Sequence, residues 1–136
     1  MIRIRPAIRG TDKWGSGAFG APRGDRTHRG EDYEASRGAR VEAVRGGEVT
    51  KLGYAYPDDL SYRYVEITDL DGCAARYMYV LPLVELHTRV EQGQPLGTVQ
   101  SIARRYPGIL PHFHFEVRDG GGEIIPPQEY FKRRGG

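Results

Sequence analysis

The segment Leu110-Pro111-His112-Phe113-His114-Phe115-Glu116-Val117 constrains this chain more than any other. Side chains along a strand alternate between faces. The pattern therefore predicts a buried strand whose Phe113, Phe115 and Val117 turn into apolar packing. His112 and His114 then share the opposite face, about 7 Å apart at a rise of roughly 3.3–3.4 Å per residue. Two imidazoles side by side on a stiff element suit a metal ligand next to a second ligand or a proton-transfer group, because neutral imidazole binds metals and titrates near neutrality. Their partners have to come from elsewhere in the chain.

The rest of the pattern is also β. Nineteen glycines and nine prolines, against two methionines and few Leu-rich periodic runs, favour turns and short strands over helices. At 136 residues the chain reads as one domain that buries a core without disulfides or a stapling metal, so a metal here is expected to serve chemistry. Twenty Lys+Arg against eighteen Asp+Glu leave a formal charge of +2 without the basic, aromatic-interleaved face of a nucleic-acid binder. Arg3, Arg5, Arg9 and Lys132-Arg133-Arg134 read as solvated chain ends. Cys73 is alone, which excludes an intramolecular disulfide and a cysteine zinc site, and its apolar strand setting predicts a packed thiol. Neither a signal-peptide core at the N-terminus nor an 18-residue apolar run is present, so no membrane insertion is expected and export needs another route.

Ile2-Arg3-Ile4-Arg5 reads as an edge strand, and the glycine-rich run from Trp14 to Gly24 as a loop anchored by Trp14 and Phe19. Gly38–Val44 and Val49–Tyr54 are expected to pair as a hairpin through Arg45–Glu48, and Tyr62–Thr68 with Cys73–Val80 through Asp69–Gly72. Tyr56–Leu60 reads as a loop, Val90–Gly97 as a turn entering a strand, and Thr98–Tyr106 as one or two helical turns. Strand packing is the expected role of most tyrosines; Tyr54 and Tyr56, beside Asp58-Asp59, are the candidates for lining a groove.

The four histidines stand at 28, 87, 112 and 114, so the candidate ligand set is small. A hydrolytic zinc site uses three N/O ligands and leaves one position open. His28 and Asp32 lie four apart across Gly30, whose freedom lets the backbone bend so that both side chains converge. One imidazole from the C-terminal strand completes a His-Asp-His set and leaves the other for acid–base work. His87 falls in a predicted loop and reads as a surface residue.

These segments resemble the lysostaphin-type (LytM-like) zinc endopeptidases, which cut peptide bonds in bacterial peptidoglycan. The resemblance rests on Phe19-Gly20, His28-Arg29-Gly30-Glu31-Asp32, Gly38–Ala43 with Gly47-Glu48-Val49, Tyr77-Met78-Tyr79, Gly93–Gly97 and His112–Val117, in the family's order. It implies a single compact antiparallel β domain over 1–136, with 1–18 an N-terminal strand and loop and 19–130 the core. It further implies Zn²⁺ on His28, Asp32 and His114, and His112 as base or acid beside it. The metal would lie on the floor of a narrow groove walled by the loops near 10–25, 54–62 and 100–111, suited to an extended peptide.

Where active members carry a second catalytic histidine in Tyr-x-His, this chain has Tyr79. The same replacement, with a stretch like Tyr106-Pro107-Gly108-Ile109, occurs in the chemotaxin-like branch of the fold. A neutral phenol can donate to a developing oxyanion but is badly tuned for shuttling a proton near neutral pH. Two functions follow from the resemblance: a zinc endopeptidase acting on the peptide of bacterial peptidoglycan, or an inactive zinc-binding module of the same fold. A small domain without its own signal fits a phage setting, in a virion tail with other tail proteins or released to the cell wall.

Overall fold

In the computed structural model, which describes residues 8–10, 15–23 and 26–132, the alternating segment is a central strand. In chain order the strands are β1 (Pro22–Arg23), β2 (Arg26–Thr27), β3 (Glu31–Glu34), β4 (Arg40–Glu42), β5 (Gly47–Tyr56), β6 (Asp59–Thr68), β7 (Ala74–Met78), β8 (Val80–Pro82), β9 (Arg89–Val90), β10 (Pro95–Val99), β11 (His112–Arg118) and β12 (Ile124–Ile125). A short helix, α1 (Pro127–Lys132), follows β12. Among the described residues these strands form a seven-stranded antiparallel sheet, a three-stranded sheet ordered β4-β10-β8, and the small β1-β2 ribbon. The mainly β, antiparallel expectation holds.

β11 pairs with β7 along one edge, and with β3 and then β12 along the other. Its alternation is as expected: Phe113, Phe115 and Val117 are buried in the core cluster while His112, His114 and Glu116 line a cleft. β7 repeats the pattern, with Ala75 and Tyr77 inward and Arg76 and Met78 in the cleft. Residues of both larger sheets, among them Val41, Val80, Leu96 and Val99 from the smaller, meet in that core. Phe115 is fully buried, stacked on Phe131 with ring centroids 5.8 Å apart. Phe115→Ala is expected to destabilise the fold by about 3–5 kcal/mol through lost transfer energy and a cavity, read as a shift in the denaturant midpoint at unchanged slope.

Chain reversals account for most of the differences from expectation. The Tyr62–Thr68 hairpin forms as β6–β7, but β4 pairs with β10 rather than β5. Arg45 and Gly46 carry the chain from one sheet to the other, and β5 pairs with β6 and β9 instead. The 54–62 loop is a tight hairpin tip: Tyr56 pairs with Asp59 across Pro57-Asp58, so Tyr54 and Tyr56 lie on β5. Residues 100–109 make turns and no helix, because β10 extends through Val99 and a proline and glycine end the segment. Phe19 is exposed rather than an anchor. Trp14, the Ile2–Arg5 strand, Arg3, Arg5 and Arg133-Arg134 lie outside the described residues. Cys73 is buried and His87 exposed, as read from the sequence. No helix among the described residues is long and apolar enough to cross a membrane.

Candidate metal centre

Sheet register brings the distant segments together. β3 runs antiparallel to β11 with Asp32 directly opposite His114, a position where side chains on one face touch. His28 precedes β3 and is held by backbone bonds between its own amide and carbonyl and residues 20–21. Gly30 lies between them for a reason the sequence did not disclose. A Cβ there would stand 2.2 Å from the Phe115 carbonyl oxygen and 3.0 Å from His114 Cε1. Its backbone is not left-handed; glycine serves here for close approach to β11 more than for a bend. Gly30→Ala is expected to push His28 away from β11, costing about 1–3 kcal/mol, read as a lowered denaturant midpoint.

His28, Asp32 and His114 each offer one ligand atom, and these atoms lie within 4.8 Å of one another. His28 Nε2 is 3.0 Å from His114 Nδ1 and 3.2 Å from Asp32 Oδ1, and His114 Nδ1 is 2.8 Å from Asp32 Oδ1. The far side of each imidazole is occupied. His28 Nδ1 donates to the Ala18 carbonyl at 3.0 Å, and His114 Nε2 donates to Glu116 Oε1 at 2.9 Å. With protons on those outward nitrogens, the inward nitrogens of His28 and His114 face one point together with a carboxylate oxygen. Only a cation or added protons can relieve such a convergence.

Arg9 and Glu116 complete the surroundings. Arg9 is buried, with Nε and Nη2 each 3.1 Å from Asp32 Oδ2 and Nη1 donating to the Gly15 carbonyl at 2.9 Å. It is therefore no solvated chain end. Burial alone would raise the Asp32 pKa, but hydrogen bonds from His114 and His28 and the charge of the imidazoles hold it well below the usual carboxylate range. Burial likewise opposes a charge on His114, yet its bonds to Asp32 and Glu116 raise that imidazole to about 9 in the metal-free protein.

His112 faces the same cleft in a different state. Its Nδ1 donates to the Leu110 carbonyl at 2.8 Å, which leaves Nε2 as acceptor, 3.5 Å from Asp32 Oδ2. Burial lowers its pKa, outweighing the nearby Asp32 charge. Tyr79 meets the His112 ring edge-on at 5.7 Å, and burial pushes its phenol above the ordinary value. Its backbone is left-handed, φ 66°, at the corner where the chain leaves β7 for β8. That uncommon conformation for a bulky residue is held by Tyr79 N–H to the Arg63 carbonyl and Gln100 N–H to the Tyr79 carbonyl, both 2.8 Å. The cleft, about 500 Å³, is lined by Arg9, His28, Arg29 and Asp32 and by Tyr56, Ile102, Tyr106 and Ile109.

The family model for "Peptidase family M23" matches residues 26–126, a span that holds His28, Asp32, Tyr79, His112 and His114. The chain belongs to peptidase family M23. Among curated relatives, "Myeloid protein 1" of Gallus gallus is 33% identical over 121 residues, covering 82% of this chain and 35% of that protein. "Leukocyte cell-derived chemotaxin-2" of Bos taurus is 28% identical over 112 residues, covering 82% and 74%. "Peptidoglycan DD-endopeptidase ShyC" of Vibrio cholerae is 34% identical over 97 residues, covering 71% of this chain and 21% of that one. This chain thus spans about a third or less of two of these relatives. Of solved structures, a catalytic-domain variant of the prophage-encoded M23 protein EnpA of Enterococcus faecalis superposes with TM-score 0.71 at 26% identity, covering 94% of both chains. The catalytic domain of lysostaphin from Staphylococcus simulans shares the M23 fold at TM-score 0.67 and 23% identity, covering 88% and 91%.

The residues singled out from the sequence, His28, Asp32, Tyr79, His112 and His114, share one cleft, but the sequence reading did not name the side chains that steady them. Glu116 was legible in principle, since it shares parity with His112 and His114 on β11. Arg9 carried no such signal: its partner lies 23 residues away, across a bridge between Ile8 and Tyr33.

Proposed function

We propose that this M23 chain is a zinc-dependent endopeptidase acting on the peptide of bacterial peptidoglycan, with His28, Asp32 and His114 as metal ligands. The observation that carries the reading is the convergence of three acceptor atoms whose other polar atoms are already satisfied. A small N/N/O donor set of this kind suits Zn²⁺ and leaves room for a further ligand. The chemistry a bound zinc supplies is polarisation of the scissile carbonyl and a water acidified to a pKa of about 7. Glu116 fixes the His114 tautomer from behind, and Arg9 holds Asp32 in one orientation, so both act as positioning residues.

His112, neutral with Nε2 open to the cleft, is the general base that takes the proton from the attacking water and returns it to the leaving amine nitrogen. Tyr79 takes the donor role. Its raised phenol stays protonated at neutral pH, which supports hydrogen bonding to the developing oxyanion over proton shuttling. The peptidoglycan substrate is supported by the 34% identity to a relative named as a peptidoglycan DD-endopeptidase. The phage setting is supported by the likeness to a prophage-encoded M23 domain. The test is elemental analysis of purified protein followed by digestion of murein. One zinc per chain and new amino termini are expected; absence of product with zinc bound would remove the enzymatic half of the proposal.

The second reading, a zinc-binding module that does not cleave, is favoured by one residue, Tyr79 in place of the family's catalytic histidine. Tyr79→His separates the two. A rise from no cleavage marks a retired site, whereas a fall from measurable cleavage marks tyrosine as the working residue.

A further inference from the structure

The cleft changes character along β11. At His112 its lining is aromatic: the Tyr56 hydroxyl is 2.6 Å from the Tyr79 hydroxyl and 2.7 Å from that of Tyr106, and Tyr79 packs edge-on against His112. Further along the strand it turns cationic. Four arginines, Arg9, Arg29, Arg76 and Arg118, line the cleft against two carboxylates, Asp32 and Glu116. Both carboxylates are taken, Asp32 by Arg9 and the imidazoles of His28 and His114, and Glu116 by His114. Register sets Arg76 of β7 directly across from Glu116, two residues past His114, with Arg118 two residues further along β11.

Arg76 is held in place with donors to spare. Its Nε donates to Glu66 Oε2 at 2.8 Å and its Cζ lies 4.8 Å from the centre of the Tyr64 ring, which fixes one edge and one face of the guanidinium. Among the described residues, neither Nη of Arg76 has a hydrogen-bond partner. Two such nitrogens make a fork that matches the two oxygens of a carboxylate. Arg118 donates from Nη1 to the Gly122 carbonyl at 3.3 Å, while its Nη2 stands 4.0 Å from Glu116 Oε2, beyond hydrogen-bond distance. Both side chains are half-buried, where salt screens an ion pair less than at the open surface. We propose that Arg76 and Arg118 form a carboxylate-binding subsite that selects which peptides enter the cleft. An extended peptide lying along β11 advances as the strand does, so the carboxylate that Arg76 meets sits about two residues, roughly 7 Å, from the bond presented to the metal ligands. The proposal rests on the peptide substrate given above and narrows its class to peptides with a free carboxylate at that spacing.

The test is calorimetric titration of the full, metal-free chain, in which binding is read without cleavage. The probes are synthetic murein stem peptides whose side-chain and C-terminal carboxyls are both free, singly amidated or both amidated. Amidating both is expected to weaken binding by about 10–100-fold, the worth of a charge-assisted hydrogen bond. Whichever single amide reproduces that loss identifies the carboxylate as a side chain or a chain end. In the Arg76→Gln, Arg118→Gln double variant the ratio of free to amidated Kd is expected to fall to about one, with affinity for the fully amidated peptide unchanged, which a merely structural role for the two arginines would not produce. Should Arg76→Gln fail to fold, Arg76→Lys, which keeps a cation beside Glu66 but lacks the fork, is expected to lower the same ratio. Equal affinity of the wild-type chain for free and amidated peptides overturns the proposal, as does binding of none of them, or a ratio unchanged in the variants. A zinc-loaded chain that releases no new amino termini from murein defeats the enzymatic reading and leaves this ratio standing, so the two failures are told apart.

Discussion

His114→Ala is expected to abolish metal binding and reduce murein cleavage to background, the largest effect of any single substitution in this chain. His114 is where three separate features meet: its Nδ1 faces His28 and Asp32, its Nε2 engages Glu116, and its strand position sets it opposite Asp32. Removing the imidazole leaves two candidate ligand atoms, too few to hold zinc in competition with water. It also leaves the buried Glu116 carboxylate without its 2.9 Å partner, a desolvation cost of about 1–3 kcal/mol. Two measurements follow. Elemental analysis should read about one zinc in the wild-type protein and none in the variant. Zinc in excess should raise the wild-type melting temperature, by linkage equivalent to about 2.7 kcal/mol at a hundredfold excess over Kd, and leave the variant unmoved. Wild-type zinc stoichiometry in His114→Ala would contradict the assignment of this cleft as the metal centre.

The legibility of that arrangement divides along a physical line. Whatever depended on side-chain parity within one strand was readable. The period of two on His112–Val117 separated cleft from core residues, and the apolar face of β11 is buried as expected. What depended on pairing between strands was not. Nothing local tells Val41 to pair with Gly97 instead of with β5, because β-strands of similar composition compete for partners and the two-sheet core settles the choice. The same holds in the site. Spacing placed His28 and Asp32 together, but the convergence with His114 depends on the β3–β11 register and on the absence of a Cβ at Gly30. The phenol row of Tyr56, Tyr79 and Tyr106 was hidden for the same reason, since Tyr56 sat in what reads as a loop and lies on a hairpin arm. The helix after β12 escaped notice because Pro126-Pro127 reads as a stop, whereas proline at the first helical position is well tolerated.

His112→Asn is expected to separate binding from chemistry. Asparagine keeps an N–H near enough in shape to satisfy the Leu110 carbonyl, so the strand should stay ordered. The amide has no basic nitrogen to put where Nε2 now faces the cleft. Zinc content should remain at about one per chain because the three ligand atoms are untouched. Loss of a positioned general base typically costs about 10²–10⁴ in rate, so kcat should fall in that range while KM for soluble murein fragments moves little. No other imidazole can stand in. His87, the remaining histidine, is exposed and lies 3.3 Å from Glu48 on β5, at residues that do not line the cleft. If His112→Asn retained wild-type kcat with zinc bound, proton transfer would have to rest on a carboxylate of the cleft, Glu116, which is bonded to His114 Nε2, or Asp32. Asp32 is already committed to Arg9 and to the imidazoles of His28 and His114, and its pKa is depressed too far to hold a proton at neutral pH. A large loss in this variant, with metal retained, therefore assigns the base to His112 by chemistry as well as by position.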